Sequence, residues 1–288
     1  MRHSIEEARQ HYAEELRFTA KLGSRVIVDA FATVPRERFL GPGPWRVLSP
    51  MAMAEYWTTQ DADPRHLYHD VLIAIDEARR LNNGQPSLWA RMYDQLELSR
   101  GDHVIHVGAG TGYYSAILAE IVGPAGRVTA IEVDPILAAR AKESLAAAWP
   151  QAAVFAADGF TFRPDQPADA IVVNAGVTHF SAVWLDALAT ENGRLLIPLT
   201  NAERWGCFLM ITRQAGDPCR CRSVHRPGGD HPVHRRARSG NGGKIDGGVG
   251  EGRFHRHPIA AARPRRAGSY MLARRRGVVA VHCPASSI

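Results

Sequence analysis

Apolar residues recur at helical spacing among Glu, Arg and Lys over residues 5–22, which predicts an amphipathic helix. A second helix is expected over 25–33, stopping near Pro35 because the residue before a proline disfavours helical backbone. Gly41-Pro42-Gly43-Pro44 reads as a turn or an extended linker. The stretch 61–83 holds the apolar run Val71-Leu72-Ile73-Ala74-Ile75, then charged residues and the turn pair Asn83-Gly84. A further helix is expected over 87–96, with Pro86 just upstream.

From His103 the pattern changes to short apolar runs alternating with helical segments. Strands are expected at 103–107, 128–132, 152–156, 170–174, 194–198 and 207–212, with helices at 113–122, 135–148 and 181–190. Buried strands joined by helices predict an α/β fold with a doubly wound, mostly parallel, Rossmann-like sheet. The expected organisation is a helical N-terminal extension over 1–98, a nucleotide-binding domain over 99–214 and a basic, low-order tail over 215–288.

Charge sharpens that division. The net charge is +6, yet residues 215–288 carry 15 Lys+Arg against 4 Asp+Glu, leaving 20 basic and 25 acidic residues before them. A mildly acidic body with a basic tail argues against a nucleic-acid partner for the body. The tail, with Arg235-Arg236-Ala237-Arg238 and Arg274-Arg275-Arg276, carries almost no periodicity before Val278. It reads as the out-of-frame translation of a GC-rich gene, the alternative being a disordered basic segment that binds acidic surfaces. No convincing strand follows Thr212, so an exposed sheet edge is expected. No run reaches the ~20 apolar residues of a membrane span. The charged start, Met1 to Glu7, is unlike a secretory signal, so a cytoplasmic location is expected. Cys207, Cys219, Cys221 and Cys283 lack zinc spacing and read as thiols, with no metal site.

The chemistry concentrates at Val107-Gly108-Ala109-Gly110-Thr111-Gly112-Tyr113, three alternate glycines between a strand and a helix. Such a turn brings a ligand against bare backbone, and the following helix offers unpaired N–H groups. Glu132 closes the next strand, where a carboxylate can accept both ribose hydroxyls. Dinucleotide sites favour G-x-G-x-x-G; here the third glycine comes one residue early, a spacing that suits S-adenosylmethionine, which has no pyrophosphate. Asp158-Gly159 follows a third strand and offers a carboxylate for an adenine amino group.

The block 101–132, with Ala157-Asp158-Gly159, the strand ending at Asn174 and Gly193-Arg194-Leu195-Leu196-Ile197-Pro198-Leu199, resembles protein-L-isoaspartate O-methyltransferases, as does Val34-Pro35-Arg36-Glu37-Arg38-Phe39 upstream. The resemblance spans roughly 25–214. It implies methyl transfer from S-adenosylmethionine to a carboxylate of isoaspartyl residues in damaged protein or peptide substrates, a repair reaction. Its cofactor residues here are Gly108, Gly110, Gly112, Glu132, Asp158 and Gly159, with His106 standing where the family usually has an acidic residue. Gln85, Pro86 and Asn174 fall on the acceptor side. The family's Thr-Ile-Ser-Gln-Pro segment, whose serine is linked to catalysis, becomes Asn82-Asn83-Gly84-Gln85-Pro86, so Gly84 stands in the serine's place and the catalytic residue is left open.

Other candidates have plainer readings. Trp45, Tyr56 and Trp57 read as packing aromatics and His179 as a loop residue. Asp76, Glu77, Arg79 and Arg80 read as a solvated helix face. Two rival functions remain: a cofactor-binding homologue with impaired catalysis or another acceptor, and a nucleic-acid methyltransferase guided by the tail.

Overall fold

The computed structural model describes residues 4–51, 55–200, 206–214, 217–225, 273–275 and 278–280. Helix α1 (Ile5–Thr19) starts in a capping box, Ser4 Oγ accepting from the Glu7 N–H while the Glu7 carboxylate accepts from the Ser4 N–H. Helix α2 (Arg25–Thr33) ends at Val34, before Pro35, and a 3₁₀ turn follows over Arg36–Phe39. A small antiparallel sheet comes next, built from β1 (Arg46–Leu48), β2 (Trp57–Thr58), β3 (Leu72–Asp76) and β4 (Leu81–Asn82) in the order β2-β1-β3-β4. Helix α3 (Pro86–Asp94) begins with proline in its first turn.

The β3–β4 hairpin revises one sequence expectation. Residues 77–80, which with Asp76 read as a helix face, form its turn, with Arg80 at φ 57°. Their charges find partners on other elements instead of along a helix. Glu77 receives two hydrogen bonds from Arg46, at 2.8 and 2.9 Å, and Arg79 reaches Asp134 at 2.6 Å.

The main unit runs β5 (His103–Val107), α4 (Tyr113–Val122), β6 (Arg127–Glu132), α5 (Pro135–Ala146), β7 (Ala152–Ala156), β8 (Ala170–Val173), β9 (Phe180–Ser181), α6 (Ala182–Ala187), β10 (Arg194–Thr200), β11 (Gly206–Gln214) and β12 (Asp217–His225). Seven strands form one sheet in the order β12-β11-β10-β8-β5-β6-β7. From β10 to β7 every pairing is parallel, and β11 and β12 add antiparallel strands at one edge. The doubly wound, mostly parallel sheet expected from the sequence is present.

Both faces of the central strands are covered, so neighbouring residues on one strand enter different cores. Val104, Val128, Val172 and Leu196 pack with α1 to α4, in a cluster containing Tyr12, Phe31, Trp89, Tyr93 and Tyr113. Ile105, Ile131, Ile171 and Leu195 pack on the opposite face with Trp184 and Leu188. The N-terminal helices therefore share one core with the sheet. Among the described residues no helix is long and apolar enough to cross a membrane.

Two short strands lie near the end of the chain, β13 (Ala273–Arg275) and β14 (Val278–Ala280), the latter antiparallel to β9. The rest of segment 226–288 lies outside the described residues. The expectation that no strand follows Thr212, leaving an exposed edge there, is corrected: β11 continues to Gln214, and β12 pairs with it antiparallel from Gln214↔Asp217 to Phe208↔His225. An edge strand is held by backbone bonds and needs only weak side-chain periodicity, so the sequence pattern there is faint.

A chain ended at Gln214 loses β12 and exposes the β11 edge. We expect it to scatter light and to melt at least about 4 °C below a chain ended after His225. Equal melting temperatures by circular dichroism would show that β12 contributes nothing to the sheet.

Candidate active site

Strand β5 pairs with β6 on one side and β8 on the other, and open α/β sheets leave their ligand crevice at the carboxyl end of such a switch point. The glycine turn occupies that position. Gly108 has φ 79°, and a Cβ there would lie 2.9 Å from the Asn174 carbonyl oxygen at the end of β8, so only glycine lets the two strand ends close up. A Cβ on Gly112 would meet Ala141 of α5 at 3.2 Å. At Gly110 the nearest atom to such a Cβ is Ile75 Cδ1 at 3.8 Å, so this glycine faces the space beneath β3.

Glu132 is buried beside the turn with both oxygens anchored. One accepts from the Gly110 N–H at 2.7 Å, the other from the Asp134 N–H at 3.0 Å. Each carboxylate oxygen has a second lone pair, so the anchored group can still accept from a diol. Asp134 caps α5 through Oδ1, which accepts from the Ile136 and Leu137 N–H groups.

Asp158 is exposed and folds its own turn, Oδ1 accepting from the Phe160 N–H at 2.9 Å. Gly159 is buried under the end of β5, where a Cβ would run into Val107, and its carbonyl accepts from Trp184 Nε1 at 2.6 Å. His106 lies inside the layer between β5 and α4. Its Nδ1 is 2.8 Å from Ser115 Oγ, and its Nε2 is buried without a partner. Burial pushes the ring's pKa down to about 3, so the imidazole is neutral at ordinary pH.

At the start of α3, Gln85 Nε2 donates to Asp70 at 3.1 Å and to Ser87 Oγ at 2.9 Å, while Ser87 Oγ donates to Asp70 at 2.6 Å. Pro86 is buried at the start of α3. Asn174 enters through its backbone, its N–H donating to the Val107 carbonyl at 2.7 Å. Gly84 has φ 76°, and a Cβ there would lie 2.8 Å from Trp89 Nε1 and 3.0 Å from Tyr114 Cε2. The volume that a serine side chain needs at this position is filled by Trp89. Asn83 is buried, its Oδ1 accepting from Arg36 Nη2 at 2.9 Å.

Sequence reasoning passed over Arg36 as an individual residue, along with Asp70, Ile75 and Trp89. Arg36 carried a signal, the segment Val34-Pro35-Arg36, but periodicity does not mark a buried cation. The others meet the site only through contacts with residues distant in the chain or with Gly84. Trp45 is a packing residue, its Nε1 donating to the Gly41 carbonyl, whereas Trp57 is exposed. His179 is exposed and stacks against Phe160.

Two outcomes follow from this geometry. Gly84→Ser meets both an unfavourable φ and the Trp89 ring, so it is expected to cost about 1–3 kcal/mol in chemical denaturation. A double-mutant cycle with Trp89→Val should give a coupling near about 1 kcal/mol; additive effects would mean that Trp89 does not fill the site. For His106, the unfolded ring binds protons below about pH 6.5 while the folded ring does not, so stability falls as pH drops from about 6.5 towards 3. Between pH 7 and 5 this one group removes about 2 kcal/mol, and His106→Gln should flatten the slope by that amount.

The family model for protein-L-isoaspartate(D-aspartate) O-methyltransferase matches residues 7–224, which brings nearly all of β12 within its span. A protein-L-isoaspartate O-methyltransferase from Ignicoccus hospitalis is 30% identical over 198 residues, covering 68% of this chain and 83% of its own. Another from Archaeoglobus fulgidus is 30% identical over 202 residues, covering 69% and 82%. Among solved structures, a protein-L-isoaspartate O-methyltransferase superposes with a TM-score of 0.61 at 23% identity, over 74% of this chain and 63% of its own. A Plasmodium falciparum protein of that description, in complex with S-adenosyl-L-homocysteine, gives 0.59 at 18% identity, over 76% and 94%. The two superpositions bear on the fold; the family rests on the sequence match. The chain belongs to the protein-L-isoaspartate(D-aspartate) O-methyltransferase family.

Proposed function

We propose that this chain is an S-adenosylmethionine-dependent O-methyltransferase that esterifies a carboxylate of isoaspartyl residues in damaged proteins. The observation that carries the reading is the Gly110–Glu132 hydrogen bond at the carboxyl end of the switch-point strands, within a chain of this family. A bare-backbone turn beside an anchored carboxylate fits a nucleoside with a free diol. Gly108, Gly110 and Gly112 would face the cofactor, Glu132 would accept from the ribose hydroxyls, and Asp158 beside Gly159 would accept from the adenine amino group. His106 would act from beneath, bracing β5 against α4 through Ser115.

When bound, S-adenosylmethionine supplies an electrophilic methyl group on a sulfonium. The acceptor carboxylate is ionised at neutral pH, so the protein's task is alignment and exclusion of water; no proton has to be removed. Gln85, Pro86 and Asn174 would border the acceptor, with residues 4–98 forming its cover and residues 99–225 the cofactor half. The Asp70–Ser87–Gln85 hydrogen bonds fix the orientation of the Gln85 amide.

A second reading, cofactor binding with a different acceptor, is favoured by one observation: Trp89 fills the space beside Gly84. Calorimetric titration of S-adenosyl-L-homocysteine, with NAD as control, tests the cofactor. Methyl transfer to an isoaspartyl peptide, with its aspartyl counterpart as control, tests the acceptor. Saturable binding together with transfer to the isoaspartyl peptide alone is the expected result. Binding without transfer would favour the second reading, and no binding would overturn both. Glu132→Ala should weaken the complex at least about tenfold, the loss of one charge-assisted hydrogen bond.

A further inference from the structure

The β3–β4 hairpin is not used by the chemistry above, yet it lies directly over the crevice. Its base is fixed, the Asn83 N–H donating to the Ile73 carbonyl at 2.9 Å. One side of its turn is tied back to its own sheet, Glu77 taking both hydrogen bonds from Arg46. The other side crosses to the main unit, where Arg79 Nη1 meets Asp134 Oδ2 at 2.6 Å. Between these ties Ile75 Cδ1 comes within 3.8 Å of where a Cβ on Gly110 would stand.

The two oxygens of Asp134 have separate tasks. Oδ1 caps α5, and Oδ2 takes the arginine. The Asp134 N–H is also the group that anchors Glu132, at 3.0 Å. Arg79 therefore ends two residues beyond the carboxylate assigned to the ribose. A ligand layer lying between two surfaces needs about 7–8 Å, two van der Waals contacts. Ile75 is closer to the turn than that, so it must move for a ligand to lie across Gly110.

We infer that the β3–β4 hairpin is a latched cover on the cofactor crevice: Ile75 is a contact residue for the bound cofactor, and Arg79 is a positioning residue whose ion pair with Asp134 holds the cover down. This rests on the reading of the crevice as an S-adenosylmethionine site. Hydrogen bonding from Arg79 holds the Asp134 carboxyl below the usual carboxylate range, so near neutral pH the latch responds to salt. Arg79 is half-exposed and Asp134 nearly buried, a pairing that contributes modestly and is screened by ions.

Stopped-flow release of S-adenosyl-L-homocysteine from the full chain tests the latch. Arg79→Ala should raise the dissociation rate about three- to fivefold. Half-molar sodium chloride should speed release from the unmodified protein and leave the variant's rate almost unchanged. Glu77→Ala, which cuts a tie on the same turn that does not cross the crevice, should release at the original rate. Release from Arg79→Ala at the original rate, or an equal salt response in both proteins, overturns the latch while leaving the cofactor assignment intact. An unmodified protein that binds no S-adenosyl-L-homocysteine overturns the cofactor reading and the latch with it.

Discussion

A buried guanidinium ties together the segments that run between α2 and α3. Arg36 has no exposed surface, and its terminal nitrogens donate to the carbonyls of Leu67, His69 and Val71 and to Asn83 Oδ1, at 2.7–3.1 Å. These oxygens belong to the approach to β3 and to the loop before α3. The planar fork suits this task, because its donors leave in fixed directions towards several acceptors at once. The same group stands over the Tyr113 ring, 5.7 Å from its centroid, and Tyr113 opens the helix after the glycine turn. One side chain thus relates those loops to the glycine turn.

Around that charge the layer is built from aromatic rings meeting edge to face. Tyr113 contacts Phe31, Phe39 and Tyr114 in this way, and Tyr12 contacts Phe31 and Tyr68. Rings bring large area and few rotatable bonds, so the first turn of α4 is fixed from the N-terminal helices as well as from the sheet. The loops bound by Arg36 and the glycine turn therefore sit on one packed layer.

The legible part of this architecture was the part buried on both faces. Strands β5, β6 and β8 stand within one residue of their expected places because parallel strands covered on both sides read as unbroken apolar runs. The glycine turn was equally plain, its spacing being set by the backbone. Features that depend on partners distant in the chain were not legible. The charges of 76–80 resemble a solvated face until Arg46 and Asp134 are seen beside them. In β12 the residues Arg220, Cys221, Arg222 and Ser223 sit within a segment whose composition reads as basic tail, although backbone pairing to β11 defines a strand. The role of Arg36 could not be read either, since Asn83 lies far along the chain and the carbonyls it binds have no side-chain signature.

The fit of Trp89 beside Gly84 also constrains how the chain can change. A serine does not fit at position 84 as it stands, because the first atom of its side chain would meet Trp89 and the backbone there has φ 76°. Accommodating a hydroxyl there takes two changes, a smaller side chain in place of the indole and a relaxed loop. Either step taken first leaves a cavity or a clash. A change to serine at this position therefore passes through a less stable intermediate.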